Sequence, residues 1–295
     1  MVTNAMSVDV EEYYHAGIFK NGMGRAERRG ESRVEASVDR LLELFGAHDA
    51  RATFFILGEV AADHPAMVRR IAAGGHEVAC HGQSHEDVYR QTLRQFRADV
   101  SQAKAQIEDA LGSEIVGYRA PNFSIGRAQA WAYQVLIEEG FKYDSSSYPI
   151  LHDRYGHLGA PRFPYEIWRS GRASLLEFPI GTTKLFGMTL PIGGGGYFRL
   201  SPSALFHLGI HRVNAAERRP VMFYLHPWEL DGDLPRPPMP WHHRFRLYVG
   251  VKKHAAKIDR LLAHFKFDTA RAVLDASAEP ATLTHRFQPA LPDAV

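Results

Sequence analysis

The sequence predicts an α/β fold in which parallel strands alternate with crossover helices, as an open sheet or a (β/α) barrel. Three observations carry this prediction. Short apolar runs alternate with amphipathic stretches of helical period from residue 5 to residue 144. One run, RATFFILG at 51–58, is largely apolar and closed by glycine, as a strand covered on both faces should be. The chemically loaded residues fall at the C-terminal ends of the strands, where a barrel gathers its catalytic groups.

Residues 5–10 read as the first strand, running into Asp9-Val10-Glu11-Glu12. In a strand Asp9 and Glu11 project to one side and Glu12 to the other. Residues 17–32, rich in Gly, Arg and Glu, read as an irregular loop. Over 34–48 the apolar positions 34, 38, 41, 42 and 45 form one helical stripe. Residues 59–73 read as a helix stopped by Gly74-Gly75. A short strand at 77–80 then runs into His81-Gly82-Gln83-Ser84-His85. Residues 91–111 form a long amphipathic helix closed by Gly112. A strand at 115–118 ends in Arg119-Ala120-Pro121-Asn122, 129–139 is helical, and 141–143 leads into Asp144-Ser145-Ser146-Ser147.

Beyond Leu151 the alternation loosens. A strand spans 175–180, a long loop 181–196, a short strand 197–200, and a helix begins at Ser201-Pro202. The run Gly193 to Gly196 lacks the lysine of a phosphate-binding loop and reads as a flexible loop at the site. The strand at 221–225 ends in His226-Pro227-Trp228-Glu229. A proline-rich link at 235–240 precedes a helix over 246–264. The organisation expected is one domain over 1–275, with 230–275 packed back on the barrel, and a flexible tail over 276–295.

A chain of 295 residues can bury the core of one large α/β domain. The net charge of +2, spread along the chain, gives no reason to expect nucleic acid or an anionic membrane as partner. The single cysteine, Cys80, excludes an intrachain disulfide and a cysteine-rich zinc module; inside an apolar strand it reads as a core residue. No apolar stretch is long enough to span a bilayer, and the N-terminus lacks a secretory pattern, so the expectation is a cytoplasmic protein.

His81 and His85 stand in an H-x-x-x-H pattern that lets two neutral imidazoles face one divalent ion across a tight turn. With 16 histidines in the chain, the plain alternative is a pair of hydrogen-bonded loop histidines. Asp9 and Glu11 are costly to bury without a cation or donor, yet could end a strand in solvent. Arg119 could form a surface salt bridge, Asp144 could cap a helix, and His226-Pro227 could merely end a strand. Scattered surface charge would not favour one end of every strand, and that coincidence argues for a site. His76, His152, His157, His242 and His243 lack the placement and read as ordinary histidines. Trp168, Trp228 and Trp241 suit either a sugar-stacking or a core role.

The wordings SVDVEEYYH, ATFFILG, HEVACHGQSH, GYRAPNFS, YDSSSYP, GGGGYFRLSP and FYLHPWELD, in this order, resemble the polysaccharide deacetylases of the NodB-homology type (carbohydrate esterase family four). They look most like the exosortase-associated branch found with exopolysaccharide genes. The resemblance runs to about residue 275. It implies a distorted (β/α) barrel, often of seven strands, and metal-dependent removal of N-acetyl groups from N-acetylhexosamines of a bacterial exopolysaccharide or its precursor. That N-acetylated glycan is the partner expected. The resemblance also implies a divalent metal, Zn2+ first and Co2+ or Ni2+ otherwise, held by His81, His85 and a carboxylate. Asp9 matches the base and Arg119 the arginine that pairs with it. His226 matches the general acid, Asp144 the carboxylate that orients it, and the backbone N–H of Asn122 an oxyanion donor.

Two departures from the family pattern carry expectations of their own. The family has two adjacent aspartates in its first motif; here Val10 takes the second place, so Glu11 is expected as the third ligand. No tryptophan stands near Asp144, so Tyr148 or Trp228 is expected to line the acetyl pocket. The rival readings are a metal-independent amidohydrolase of small cyclic amides, allantoinase-like, and a glycan-binding protein with a degenerate site.

Overall fold

The computed structural model describes residues 2–15, 32–151, 156, 159–236 and 239–277, and the backbone of 281–282. Strands β1 (Asn4–Val10), β2 (Thr53–Ile56), β3 (Glu77–Cys80), β4 (Gly117–Tyr118) and β5 (Tyr143–Asp144) pair in parallel in that order. An antiparallel hairpin follows, β6 (Tyr165–Ser170) and β7 (Ala173–Glu177), with β7 parallel to β5. A second, separate hairpin joins β8 (Thr182–Leu185) to β9 (Met188–Pro191). Strand β10 (Met222–Leu225) returns to pair with the other edge of β1. Beyond β7 the chain meets β10 at the parallel bridge Ile180–Met222. Seven parallel strands therefore form a ring closed by an isolated bridge, the distorted barrel expected. Two short strands lie at its margins: β11 (Phe267–Asp268) beside the start of β1, and β12 (Ala281–Thr282) beside β6.

The period-2 alternation of each strand divides the core in two. Met6, Val8 and Val10 of β1, with Phe54 and Ile56 of β2 and Val78 and Cys80 of β3, belong to the cluster that includes the helices' apolar faces. Ala5, Phe55, Ala79, Tyr143, Met222 and Tyr224 belong to a second cluster, inside the ring. Residues 5, 7, 9 and 11 thus face inward, whereas Val10 is core. Burial pushes the Cys80 thiol up, in keeping with a core residue.

The outer layer holds α1 (Val34–Ala47), α2 (Gly58–Asp63), α3 (Pro65–Ala73), α4 (Leu93–Leu111) and α5 (Trp131–Glu138). The single helix expected over 59–73 is two, because Pro65 opens the second and His64 is non-helical. Thr92 caps α4 in a reciprocal box with Gln95, and Gly112 ends it in the left-handed region.

Four expectations for the second half are corrected. The stretch 181–196 is no loop but the β8–β9 hairpin and the start of a helix. Residues 197–200 are helical, within α6 (Gly195–Leu200). The glycine run, read as a flexible loop, is a close approach: Tyr224 N–H donates to Gly193 O at 2.7 Å, and a Cβ on Gly194 would collide with the Tyr224 carbonyl. After α7 (Ser203–Arg212), the helix expected over 246–264 is α8 (Trp241–Tyr248) and α9 (Val251–His264). It breaks at Gly250, φ +75°, where a side chain would press on Arg199 O. A last helix, α10 (Ala270–Ala276), packs against β1. The loop expected over 17–32 falls almost wholly outside the described residues, as do His152, His157 and most of the tail from 278. No helix among the described residues is long and apolar enough to cross a membrane.

Candidate active site

At the C-terminal mouth of the ring β1 delivers Asp9 and, just past its end, Glu11, both buried. Glu12 turns the other way and accepts from Arg33 N–H, 3.1 Å, at the start of α1. Such a carboxylate satisfies orphan helix donors and suits the positive end of the dipole. The loop after β3 curls tightly, with Gly82 at φ +82° and His85 at φ +59°, and brings both histidines back to Glu11. The ligand atoms of Glu11, His81 and His85 all lie within 4.8 Å of one another.

The surroundings fix the state of each group. His81 Nδ1 lies 2.9 Å from Arg119 O, which can only accept, so Nδ1 carries the proton and Nε2 presents a lone pair. Burial lowers the His81 pKa to about 4, keeping the imidazole neutral. Glu11 Oε2 is 2.7 Å from His85 Nε2, a close approach of carboxylate and imidazole. Burial opposes its ionisation, but His85, with His226 and His81 beyond, outweighs burial and holds the carboxyl well below its usual range. A buried carboxylate and two converging imidazoles fit a divalent cation, which answers the cost of burying them together.

Arg119, at the end of β4, is fully buried and its donors are spread over four acceptors. Nη1 reaches Asp9 Oδ1 at 2.6 Å and Ser7 Oγ at 2.9 Å. Nε and Nη2 donate to Ser145 O and Ser145 Oγ. Its guanidinium lies 4.1 Å from the Phe55 ring centroid. A surface salt bridge is thereby excluded. Across the mouth, after β10, His226 Nε2 is 3.7 Å from Glu11 Oε1 and 4.0 Å from Asp9 Oδ2. Trp228 stacks on the His226 ring and donates its indole N–H to Glu11 Oε1 at 3.2 Å.

The carboxylate beside His226 is Glu229, not Asp144. Glu229 Oε2 lies 3.6 Å from His226 Nδ1 and accepts from His226 N–H at 3.0 Å; its Oε1 takes Arg199 Nε at 2.8 Å. Burial works against a charged His226, but Glu229, Glu11 and Asp9 prevail and raise its pKa to about 9. The sequence signal for Glu229 is its place three residues after His226, on the turn opened by Pro227. Asp144 instead accepts from Ser146 Oγ at 2.6 Å, and Ser146 Oγ accepts from Ala120 N–H at 2.8 Å. Its neighbouring acid is the buried Glu177; burial raises both, Glu177 well above its usual range, with the Asp144 charge adding to the effect of burial on Glu177. Asn122 is solvent-exposed with a left-handed backbone, φ +53°, and its side-chain amide donates to Asp87. Of the two aromatics expected at an acetyl pocket, Tyr148 is buried against Phe123 and Tyr224, and Trp228 stands beside the acidic cluster.

A polysaccharide deacetylase family model matches residues 29–138, and a domain of unknown function, DUF3473, matches 145–275. Residues 29–138 thus carry a polysaccharide deacetylase domain. A peptidoglycan deacetylase of Helicobacter pylori is 32% identical over 127 residues, 43% of this chain and 41% of the relative. The chain spans about two fifths of the length of the curated relatives it matches. A structure described as a polysaccharide deacetylase from Mycobacterium smegmatis aligns over 98% of this chain and 95% of its own, with TM-score 0.62 and 22% identity. An allantoinase aligns over 93% and 89%, with TM-score 0.58 and 18% identity. At such identities the two structures speak for the fold of this deacetylase domain alone.

Proposed function

We propose that the protein is a metal-dependent deacetylase that removes N-acetyl groups from N-acetylhexosamine units of a bacterial glycan. The observation that carries this reading is the buried Glu11–His81–His85 triad facing the Asp9–Arg119 and His226–Glu229 pairs across one mouth. Deacetylases of this family generally depend on a divalent metal. Held by the triad, zinc, cobalt or nickel would polarise the acetamide carbonyl and make water a better nucleophile.

Asp9, held by Arg119 through Oδ1, keeps Oδ2 toward the centre of the site and takes the proton of the attacking water. His226, protonated at neutral pH, gives its proton to the departing amine from the opposite side. The backbone N–H of Asn122 serves as an oxyanion donor. Asp144 positions rather than reacts: through Ser146 it holds Ala120, and so the turn that bears Arg119 and Asn122. The finer proposal, resting on the motif wordings, is that the glycan is an exopolysaccharide or its precursor.

The test is elemental analysis of the purified protein beside acetate release from N-acetylated oligosaccharides. The expected result is about one divalent metal per chain, lost in Glu11→Ala. Asp9→Asn keeps the metal but slows turnover by about 100-fold or more. Turnover that survives exhaustive chelation moves the assignment to a metal-independent amidohydrolase. Glycan binding with no turnover of any acetylated sugar moves it to a binding protein.

A further inference from the structure

Between Phe178 and Ala216 the sequence holds no aspartate or glutamate. Within that stretch lie Leu185, Phe186, Met188, Leu200, Leu205 and Leu208, six of the eleven exposed large apolar side chains among the described residues. Monomeric proteins rarely gather exposed apolar surface in this way without a partner for it. The charge balance of the whole chain conceals the local one.

The patch has a definite form. Leu185 pairs with Met188 across a two-residue turn, with Phe186 at φ +50° and Gly187 at φ +78°. Both central residues are left-handed, a type I′ turn, whose first place suits asparagine or glycine and strains a bulky side chain. The aromatic placed there is 91% exposed, so it gains nothing in folding that would offset the strain. Helix α7 packs beside the hairpin, Gly209 close against Ile192, and Arg212 Nε donates to Lys184 O at 3.1 Å. Leu205, Leu208 and Arg212 stand at i, i+3 and i+7, on one face of α7. Glu217, the first carboxylate after the stretch, is paired with Arg162 at 2.8 Å; Arg218 and Arg219 beside it are exposed.

We propose that the hairpin tip and the adjoining face of α7 seat the protein on an anionic lipid bilayer. Phe186 and its apolar neighbours enter the boundary between headgroups and acyl chains, and Lys184 and Arg212 meet the lipid phosphates. The charge pattern selects this occupant. A second copy docked through the same patch would bring Lys184 and Arg212 against their own kind. A bilayer supplies the opposite charge and parts around a convex aromatic tip, with no complementary pocket needed. The contact is interfacial, since no described helix spans a membrane.

Flotation of the full chain with vesicles tests the proposal, using phosphatidylcholine alone and phosphatidylcholine mixed with phosphatidylglycerol. The expected result is binding to the mixed vesicles that weakens with salt. Phe186→Asn installs the residue the turn prefers, keeps the melting temperature or raises it, and cuts binding about tenfold. Lys184→Glu and Arg212→Glu each cut it about fivefold or more. Acetate release from a soluble oligosaccharide stays unchanged in Phe186→Asn. The proposal is overturned by absence of binding to either vesicle, or by equal binding of wild type and Phe186→Asn. A dimer that Phe186→Asn dissolves, with no vesicle binding, overturns it in favour of a second copy.

Discussion

Of the carboxylates that raise the His226 pKa, Glu229 contributes most, and it is itself held by Arg199, 2.8 Å away. A general acid works while protonated, so activity should fall as pH rises through the His226 pKa of about 9. Glu229→Gln removes the nearest anion and lowers that pKa, so the alkaline limb of the kcat/KM profile should move to lower pH. Asp144→Asn should reduce activity at every pH and leave the limb where it is, because Asp144 acts on the Arg119–Asn122 turn through Ser146. A limb that moves in Asp144→Asn and stays fixed in Glu229→Gln would reverse the two roles. Arg119→Lys should also fail: one ammonium cannot reach Asp9, Ser7 and both oxygens of Ser145. Its turnover should fall about 100-fold, with a lowered melting temperature to show the lost anchoring. The sequence made Asp9, Glu11, His81, His85, Arg119 and His226 visible because each stands at or soon after the C-terminal end of a strand. It hid the carboxylate beside His226, because Asp144 stands at a strand end whereas Glu229 lies on the turn beyond one, and only the three-dimensional path brings Glu229 to His226.

At the scale of the element, β1 explains an unusual first motif. Its alternation sends Asp9 and Glu11 into the mouth and Val10 into the layer under the helices. A carboxylate at position 10 would therefore meet apolar core. Val10→Asp should cost about 3 kcal/mol of stability and should not restore metal to a Glu11→Ala protein, as denaturant unfolding and elemental analysis would report. The alternation also made the first five strands readable, since each apolar run ends in a recognisable turn. It failed between 181 and 200, where the hairpin is short and largely exposed and the glycines serve close approach. Gly194, φ +102° and against the Tyr224 carbonyl, illustrates the point. Gly194→Ala should destabilise the protein by about 2 kcal/mol or more, where a flexible loop would have accepted alanine without cost.

At the scale of the molecule, Arg199 links the helices of the C-terminal third to the site. Arg199 donates to Glu229 and to the carbonyls of Arg246, Leu247 and Val249, linking α6, the turn after β10 and the break between α8 and α9. No pattern in the sequence marks Arg199, because its partners are mostly backbone oxygens some 50 residues away. The ring adds a further constraint. Strand β1 takes its partners from 53–56, 222–225 and 267–268, and Glu11 meets Trp228 217 residues further along the chain. On the ribosome, then, Asp9 and Glu11 emerge long before His226. Until β10 is made, one edge of β1 stays open, and such long-range closure is slow. A chain halted before residue 222 therefore holds every ring strand but β10, with one edge of β1 unpaired and His226 absent.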